Sequence, residues 1–419
     1  MPSVRTTSVV VAGGGPAGMM AGLLLARQGV RVIVLEKHAD FFRDFRGDTI
    51  HPSTLRLIDE LGAADEFLRI PHSKMTEVTM ETTSGPLTVA DFTRLGRFGY
   101  IAFLPQWDFL AFLTAKARTY DSFELEMSTE ATELLVEDGR VVGVRAASPQ
   151  GPLEIRADLV LGADGRHSEL RRQAGLDAVR STPPIDVLWF RVGRRADEKL
   201  PFFRSSDAAV LISIDRGDYW QLAYVIPHGA VDAVRTDGLS AFRRDVAVLA
   251  PALGDRLNQL TDWDDVKLLS VRVDRLRRWH RPGLLFIGDA AHAMSPAGGV
   301  GINLAIQDAV AAANILGPTF ASGGPSTRDL ARVQRRRELP TRVTQAFQVR
   351  VLRGLYPRGA ASRGRSRAHT SGPAPLPLPL RMVRRVPPMR YALGRFIGVG
   401  VRPEHIRRPQ RDRPQMVTG

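Results

Sequence analysis

The chain has 419 residues, 44% of them hydrophobic and 24% charged, which is enough apolar content for one large core or two smaller ones. It has no cysteine, which excludes disulfides, thiolate metal sites and cysteine-linked prosthetic groups. The net charge of +14 sits entirely in a tail: sixteen arginines, no lysine and only Glu404 and Asp412 as acids follow Val349, so the body is neutral and carries no nucleic-acid signature.

The first unit, SVVVAGGGPAGMMAGLLLARQGVRVIVLEKH, predicts a strand over 8–12, a glycine turn, a helix over about 16–28 and a second strand over 31–36. Its apolar start looks like a secretory leader. The Gly-Gly-Gly-Pro turn and the strand that follows suit a folded strand–turn–helix instead, so a cytoplasmic protein is expected. No run approaches the ~18 uninterrupted apolar residues of a membrane-spanning helix.

The turn carries G-x-G-x-x-G at Gly13, Gly15 and Gly18. Gly13 permits the sharp turn, Gly15 lets the backbone approach a pyrophosphate, and Gly18 lets helix and strand pack closely. Pro16 and Ala17 open the helix, whose free N–H groups and partial positive charge suit phosphate. Glu36, eighteen residues beyond Gly18, ends the second strand and can accept from ribose hydroxyls, with Lys37 beside it.

Further along, 73–100 and 180–265 contain strand-like stretches at Thr76–Thr82, Val187–Val192, Ala208–Ile214 and Tyr219–Ile226. In these, Trp189, Phe190, Arg191, Tyr219, Trp220, Gln221 and Tyr224 alternate as one face of a cavity would, and as a packed core also would. Tyr100 lies just before the chain returns to the first unit. LLFIGDAAHAMSPAGGVGINLAIQDAVAAANIL then predicts a buried strand over 284–287 ending at Gly288 and Asp289, a loop, and a helix starting near Gly299–Gly301. Asp289 can bind hydroxyls of a ribityl chain. The amides of Gly301, Ile302 and Asn303 would face an electron-rich edge that becomes negative on reduction. The histidines show no metal-ligand spacing, so no metal is expected, and His292 is read as fixing the loop.

The pairing of the glycine fingerprint with this Gly-Asp segment resembles the group A flavoprotein monooxygenases, the p-hydroxybenzoate hydroxylase-like family. LVLGADGRHSELRR at 159–172 is similar to the family's Asp-Gly motif through Asp164, Gly165, Ser168 and Arg171. RDFRGDTIHPSTLRLIDELG at 43–62 resembles the stretch whose arginine reaches the FAD pyrophosphate and NAD(P)H, with Arg46 the best match and Arg43 the second. Gln106 falls where the family opens a helix on FAD, and Pro296 matches the proline over the reactive flavin face. The sequence departs from the family's G-Q-G-x-N stretch in carrying Gly299-Val300-Gly301-Ile302-Asn303, a change that a backbone contact tolerates.

The resemblance spans roughly residues 8–345. It implies an α/β fold: a dinucleotide-binding, Rossmann-like FAD domain (1–72, 101–179 and 266–325), an inserted mostly-β substrate domain (73–100 and 180–265), a C-terminal helix (326–349) and a basic tail (350–419). It further implies noncovalent FAD, transient NAD(P)H as reductant, and O2 activated as a flavin C4a-hydroperoxide that hydroxylates a hydrophobic, aromatic or polyketide-like small molecule. Residues Trp189, Arg191, Trp220, Tyr224 and Tyr100 are the candidate substrate contacts, and no base is identifiable. A reductase or dehydrogenase of the same fold is the alternative on the same motifs. A nucleic-acid- or membrane-binding protein is the alternative on the tail. Within that tail, 355–380 is low-complexity and expected to be poorly ordered. The 381–408 segment interleaves apolar residues with arginine, and is expected to dock on the body rather than lie on a membrane or a polyanion.

Overall fold

The computed structural model describes residues 3–42, 49–80, 85–181, 183, 185–205, 209–355 and 378–407. Arg43, Arg46 and the stretch 356–377, for which the sequence makes specific expectations, lie outside the described residues.

Strand Ser3–Ala12 sits at the centre of an eight-stranded sheet, paired in parallel with Val32–Leu35 on one side and Gly151–Gly162 on the other. Phe123–Glu126 extends one edge in parallel and Leu284–Phe286 the other. Parallel strands are covered on both faces and so read as unbroken apolar runs, as Val9–Val11, Val32–Leu35 and Leu284–Phe286 do, all buried. Two helices pack together over this sheet, α1 (Pro16–Ala26) and α2 (Gly301–Leu316). Both are buried on nearly every side, which is why neither shows an amphipathic stripe. The stretch Ala297–Ser322 is apolar and long enough to cross a bilayer, but most of it lies inside this core.

Ala12, Leu35, Gly162 and Phe286 all end at one edge of the sheet, the edge where open α/β sheets bind ligands.

A second, seven-stranded sheet runs in the order Lys267–Leu269, Ile185–Gly193, Tyr219–Pro227, Val210–Asp215, Phe203–Ser205, Glu77–Met80, Leu87–Asp91. Two boundaries move from their expected places. Lys267–Leu269 joins the second sheet beyond the expected end at 265. Ser73–Met75 pairs with Ile101–Phe103 in a separate three-stranded sheet, so the chain enters the second sheet at Glu77 rather than at 73. Helix Leu239–Leu249 and the 3-10 stretch Pro251–Gln259 cover one face of strands Ile185–Gly193, Tyr219–Pro227 and Val210–Asp215. The opposite face meets the loop that carries Ala297.

Helix α3 (Thr327–Leu355) runs further than the 326–349 expected, and it packs along α2. Helix α4 (Pro388–Gly398) lies on strand Leu87–Asp91, so the tail docks on the body. Gly394 makes the approach close: a Cβ there would sit 2.0 Å from the Asp91 carbonyl oxygen. Arg94 stacks on the Tyr391 ring at 3.8 Å, Phe396 packs against Phe347 at 4.7 Å, and Arg390 lies 3.5 Å from Asp91.

The docking includes one fully buried histidine. His51 Nδ1 lies 2.9 Å from the Ile397 carbonyl, a bond the neutral ring makes as donor, while its Nε2 is buried with no partner among the described residues. Burial lowers the pKa of this ring from 6.5 to about 4, against a small upward pull from Ile397. The unfolded chain therefore takes up this proton first, and stability falls as pH drops from 6.5 to about 4. The expected loss is roughly 3 kcal/mol. Thermal unfolding between pH 7 and 4.5 checks it: His51→Gln should flatten the wild-type decline, and an equally steep variant would remove His51 as its source.

Candidate cofactor site

The three sequence motifs meet at the carboxyl edge of the first sheet. Gly13 has φ +110°, and a Cβ there would come 2.4 Å from the carbonyl oxygen of Ala163, the residue before Asp164. Gly288 has φ +59°, and its added Cβ would lie 3.0 Å from the Cβ of Ala17. The glycine turn thus touches the Asp-Gly segment on one side and the Gly-Asp segment on the other. At Gly18 a Cβ would be 1.9 Å from the Gly13 carbonyl oxygen, so glycine there is what allows α1 to start so close to its strand. At Gly15 a Cβ would meet nothing within 4 Å.

That contrast separates two jobs. Gly13 and Gly18 are required by the protein's own packing. Gly15 is not, and glycine there suits close approach by a ligand. Gly15 also caps α1 without any side-chain hydrogen bond, so the first amides of the helix, behind Pro16 and Ala17, point outward at this edge. Glu36 is buried and uses both oxygens on the backbone: Oε2 accepts from Gly14 N at 3.1 Å and Oε1 from His38 N at 3.1 Å. It braces the turn as well as facing the edge. Lys37 is exposed, with Nζ 3.9 Å from Glu130. Gln106 is the first residue of helix Gln106–Ala117, half-buried beside Trp107, whose ring stacks on Phe42 at 4.3 Å.

Asp164 Oδ1 is buried with no partner among the described residues, and burial raises the carboxyl's pKa against the opposing pull of the Ser168 hydroxyl. Such a group suits a polar ligand at the edge. Ser168 caps the next helix through Arg171 N at 3.0 Å. Arg171 itself turns inward: it grips buried Asp274 with both terminal nitrogens, at 3.1 and 3.2 Å, and donates to the Ala290 carbonyl at 3.3 Å. It therefore holds the Gly-Asp segment from behind.

Beyond half-buried Asp289, the loop through Pro296 is fastened at several points. Gln345 donates to the Ala293 carbonyl at 3.0 Å, and Gln348 to those of Ser295 and Ala297 at 2.8 and 2.7 Å. Thr49 Oγ1 donates to the Gly299 carbonyl at 2.9 Å. Helix α2 begins at Gly301 and Ile302 with no side-chain cap. Asn303, in that first turn, spends its side chain across the fold: Oδ1 accepts from His51 N (2.9 Å) and Thr54 Oγ1 (2.7 Å), and Nδ2 donates to Thr49 and Gly299 carbonyls.

Beneath the site runs a buried ionic chain. Asp308, on α2, receives Gly288 N at 3.1 Å and Arg337 Nε at 2.9 Å, and its Oδ2 lies 2.5 Å from His292 Nε2. Arg337 continues to Glu404 at 3.3 Å, which also pairs with Arg336 at 2.6 Å. His292 thus fixes the loop, as read. Asp308 and Arg337 were not singled out in the sequence, although a lone acid in so apolar a helix was a signal for a buried pair.

The candidate substrate residues divide. Trp189 lies on the sheet face that meets Ala297, packed with Ile212. Trp220 and Tyr224 lie on the other face, in the core under helix Leu239–Leu249, where Tyr224 packs on Phe242 at 5.4 Å and Trp220 Nε1 donates to Glu198 at 2.8 Å. Phe190 is buried beside them. This corrects the expectation that Trp220 and Tyr224 contact substrate: the two faces alternate, and helix Leu239–Leu249 covers theirs. Arg191 is exposed at the far edge, near Tyr219 and Lys267. Tyr100 stacks on His72 at 6.4 Å, with Lys74 at 4.7 Å from its ring.

The model of one family, described as FAD binding domain, matches residues 6–346. The 6-methylpretetramide 4-monooxygenase of Streptomyces rimosus is 35% identical over 359 residues, which are 85% of this chain and 86% of that one. A 12-dehydrotetracycline 5-monooxygenase/anhydrotetracycline 6-monooxygenase of the same species is 29% identical over 76% of this chain and 64% of its own length. Among solved structures, the anhydrotetracycline hydroxylase of Streptomyces rimosus superposes with a TM-score of 0.72 at 24% identity, over 95% of this chain and 77% of that one.

Proposed function

The chain belongs to the FAD binding domain family of group A flavoprotein monooxygenases, and from that premise we propose that it uses NAD(P)H and O2 to hydroxylate a multi-ring, aromatic polyketide-like molecule. The observation that carries the cofactor reading is the meeting of Gly13, Ala163, Ala17 and Gly288 at one sheet edge. The residues at this edge would hold FAD, which when bound would supply hydride acceptance from a reduced nicotinamide and transfer of one oxygen atom of O2 to the substrate, the other leaving as water.

The chain's own residues bind, orient and shield. The amides behind Gly15 and Ala17 hold the pyrophosphate, Glu36 the ribose, and Asp289 the ribityl hydroxyls. The uncapped start of α2 at Gly301 and Ile302 would favour negative charge on a flavin held at this edge. Pro296 and the fastened loop would form a fixed wall beside a bound flavin, and Trp189 with Ile212 would supply an apolar surface that excludes water. Arg46 and Arg43 are assigned to the nicotinamide path on the family resemblance alone. The substrate class is supported by the tetracycline-type molecules named for the relatives, together with this apolar face.

Turnover of linear fused-ring phenols under isotopically heavy O2 tests the reading. One heavy atom should enter each product molecule. A product reduced or dehydrogenated without added oxygen would replace it with a reductase. Trp189→Ala should raise KM about tenfold, the worth of lost aromatic contact. Trp220→Phe should leave KM alone and lower stability by about 1–2 kcal/mol, through the lost bond to Glu198 and looser packing.

A further inference from the structure

Between the two-stranded ribbon of Ala178–Ser181 and Val273–Leu276 and helix α3 runs a groove of about 690 Å3 that the cofactor site does not use. Its floor is apolar, formed by Val179, Val273 and Val349, and three arginines, Arg275, Arg342 and Arg350, converge on it. Arg336 and Arg337, on the same helix, reach Glu404 and Asp308. Arg342 and Arg350 form no ion pair among the described residues. Arg275 Nη1 donates to Gln345 Oε1 at 3.0 Å, but its Nε is buried without a partner. Burial lowers the affinity of this guanidinium for its proton, Glu338 opposes that, and Arg342 and Arg277 add to it.

Converging cations with an unpaired buried donor call for an anion, and the apolar floor calls for a flat body attached to it. We propose that the groove binds a flat organic anion, an aromatic carboxylate or phenolate, its charge on Arg275 and Arg342 and its rings on Val179, Val273 and Val349. The site communicates with the cofactor loop. Gln345, the partner of Arg275, donates through Nε2 to the carbonyls of Asp274 (2.8 Å) and Ala293 (3.0 Å), three residues before Pro296. An anion that draws Arg275 away frees the carboxamide that fastens this loop.

The test needs no turnover, so it stands apart from the proposed reaction. The FAD-loaded full chain is titrated calorimetrically with 1-naphthoate while the visible flavin band is followed. Arg342→Glu should weaken binding about tenfold or more, the worth of a charge-assisted hydrogen bond. Uncharged 1-naphthalenemethanol should bind correspondingly worse. Val349→Trp, which fills the floor, should block binding and covers the case in which the charge reversal fails to fold. The flavin band should shift on binding in the wild type and not in Gln345→Leu. Wild-type affinity in folded Arg342→Glu or Val349→Trp would overturn the site, as would displacement of naphthoate by an equal concentration of inorganic phosphate. So would a loss of binding in Trp189→Ala alone, which would put the ligand on the sheet face. A band shift that persists in Gln345→Leu would overturn the coupling.

Discussion

Replacing Asp308 with alanine is expected to cost about 3–5 kcal/mol of stability, the range found when one partner of a buried ion pair is removed. The carboxylate is fully buried, and three donors lose their acceptor at once: Gly288 N, His292 and Arg337. Arg337, itself buried, keeps Glu404, so the C-terminal segment should loosen without coming free. Burial alone would raise the Asp308 pKa, but His292 and Arg337 outweigh it and hold the group below the usual carboxylate range. Its contribution is therefore complete above the unfolded value near 3.8 and is lost only as pH falls through the lower folded value. That window lies below the one set by His51. Denaturant unfolding at neutral pH gives the magnitude. A loss under about 1 kcal/mol would mean that the network is not the anchor its geometry describes.

Two glycine variants should separate folding from cofactor binding. Gly18→Ala drives a Cβ to 1.9 Å from the Gly13 carbonyl oxygen, a backbone atom that cannot swing away, so the turn must open. Overpacking of this kind costs about 1–3 kcal/mol or more, and FAD retention should go with it. Gly15→Ala meets nothing within 4 Å, so the FAD-free protein should melt as the wild type does. Its FAD affinity should still fall by about tenfold or more, since the methyl occupies the approach of the pyrophosphate. Melting curves of the FAD-free proteins with FAD titrations check both. Full FAD affinity in Gly15→Ala would take the pyrophosphate away from this turn.

The parts of the molecule legible in the sequence are those set by local spacing. The glycine turn, both flanking strands and the helix behind the Gly-Asp segment follow from short-range pattern and turn chemistry. What a strand faces is not local. Alternation separates Trp189 from Trp220, but which of the two faces is sealed depends on helix Leu239–Leu249, which comes after both strands. Arg337 sits in the run RRREL, which reads as a solvated surface, yet its side chain is fully buried because Asp308 arrives from another helix. Arg171 matched a cofactor motif and proved to be a brace on Asp274 and Ala290. In each case the partner is distant in sequence, and spacing carries no information about it.

The central claim, oxygen transfer by a bound flavin, is tested most directly by O2 consumption of the FAD-loaded protein with NAD(P)H, with and without a fused-ring phenol. Uptake should be slow without the phenol, rise when it is added, and match hydroxylated product one to one. Flavin reduction by NAD(P)H followed by O2 uptake that yields only hydrogen peroxide across the phenol panel, or a folded protein that never retains FAD, would contradict it.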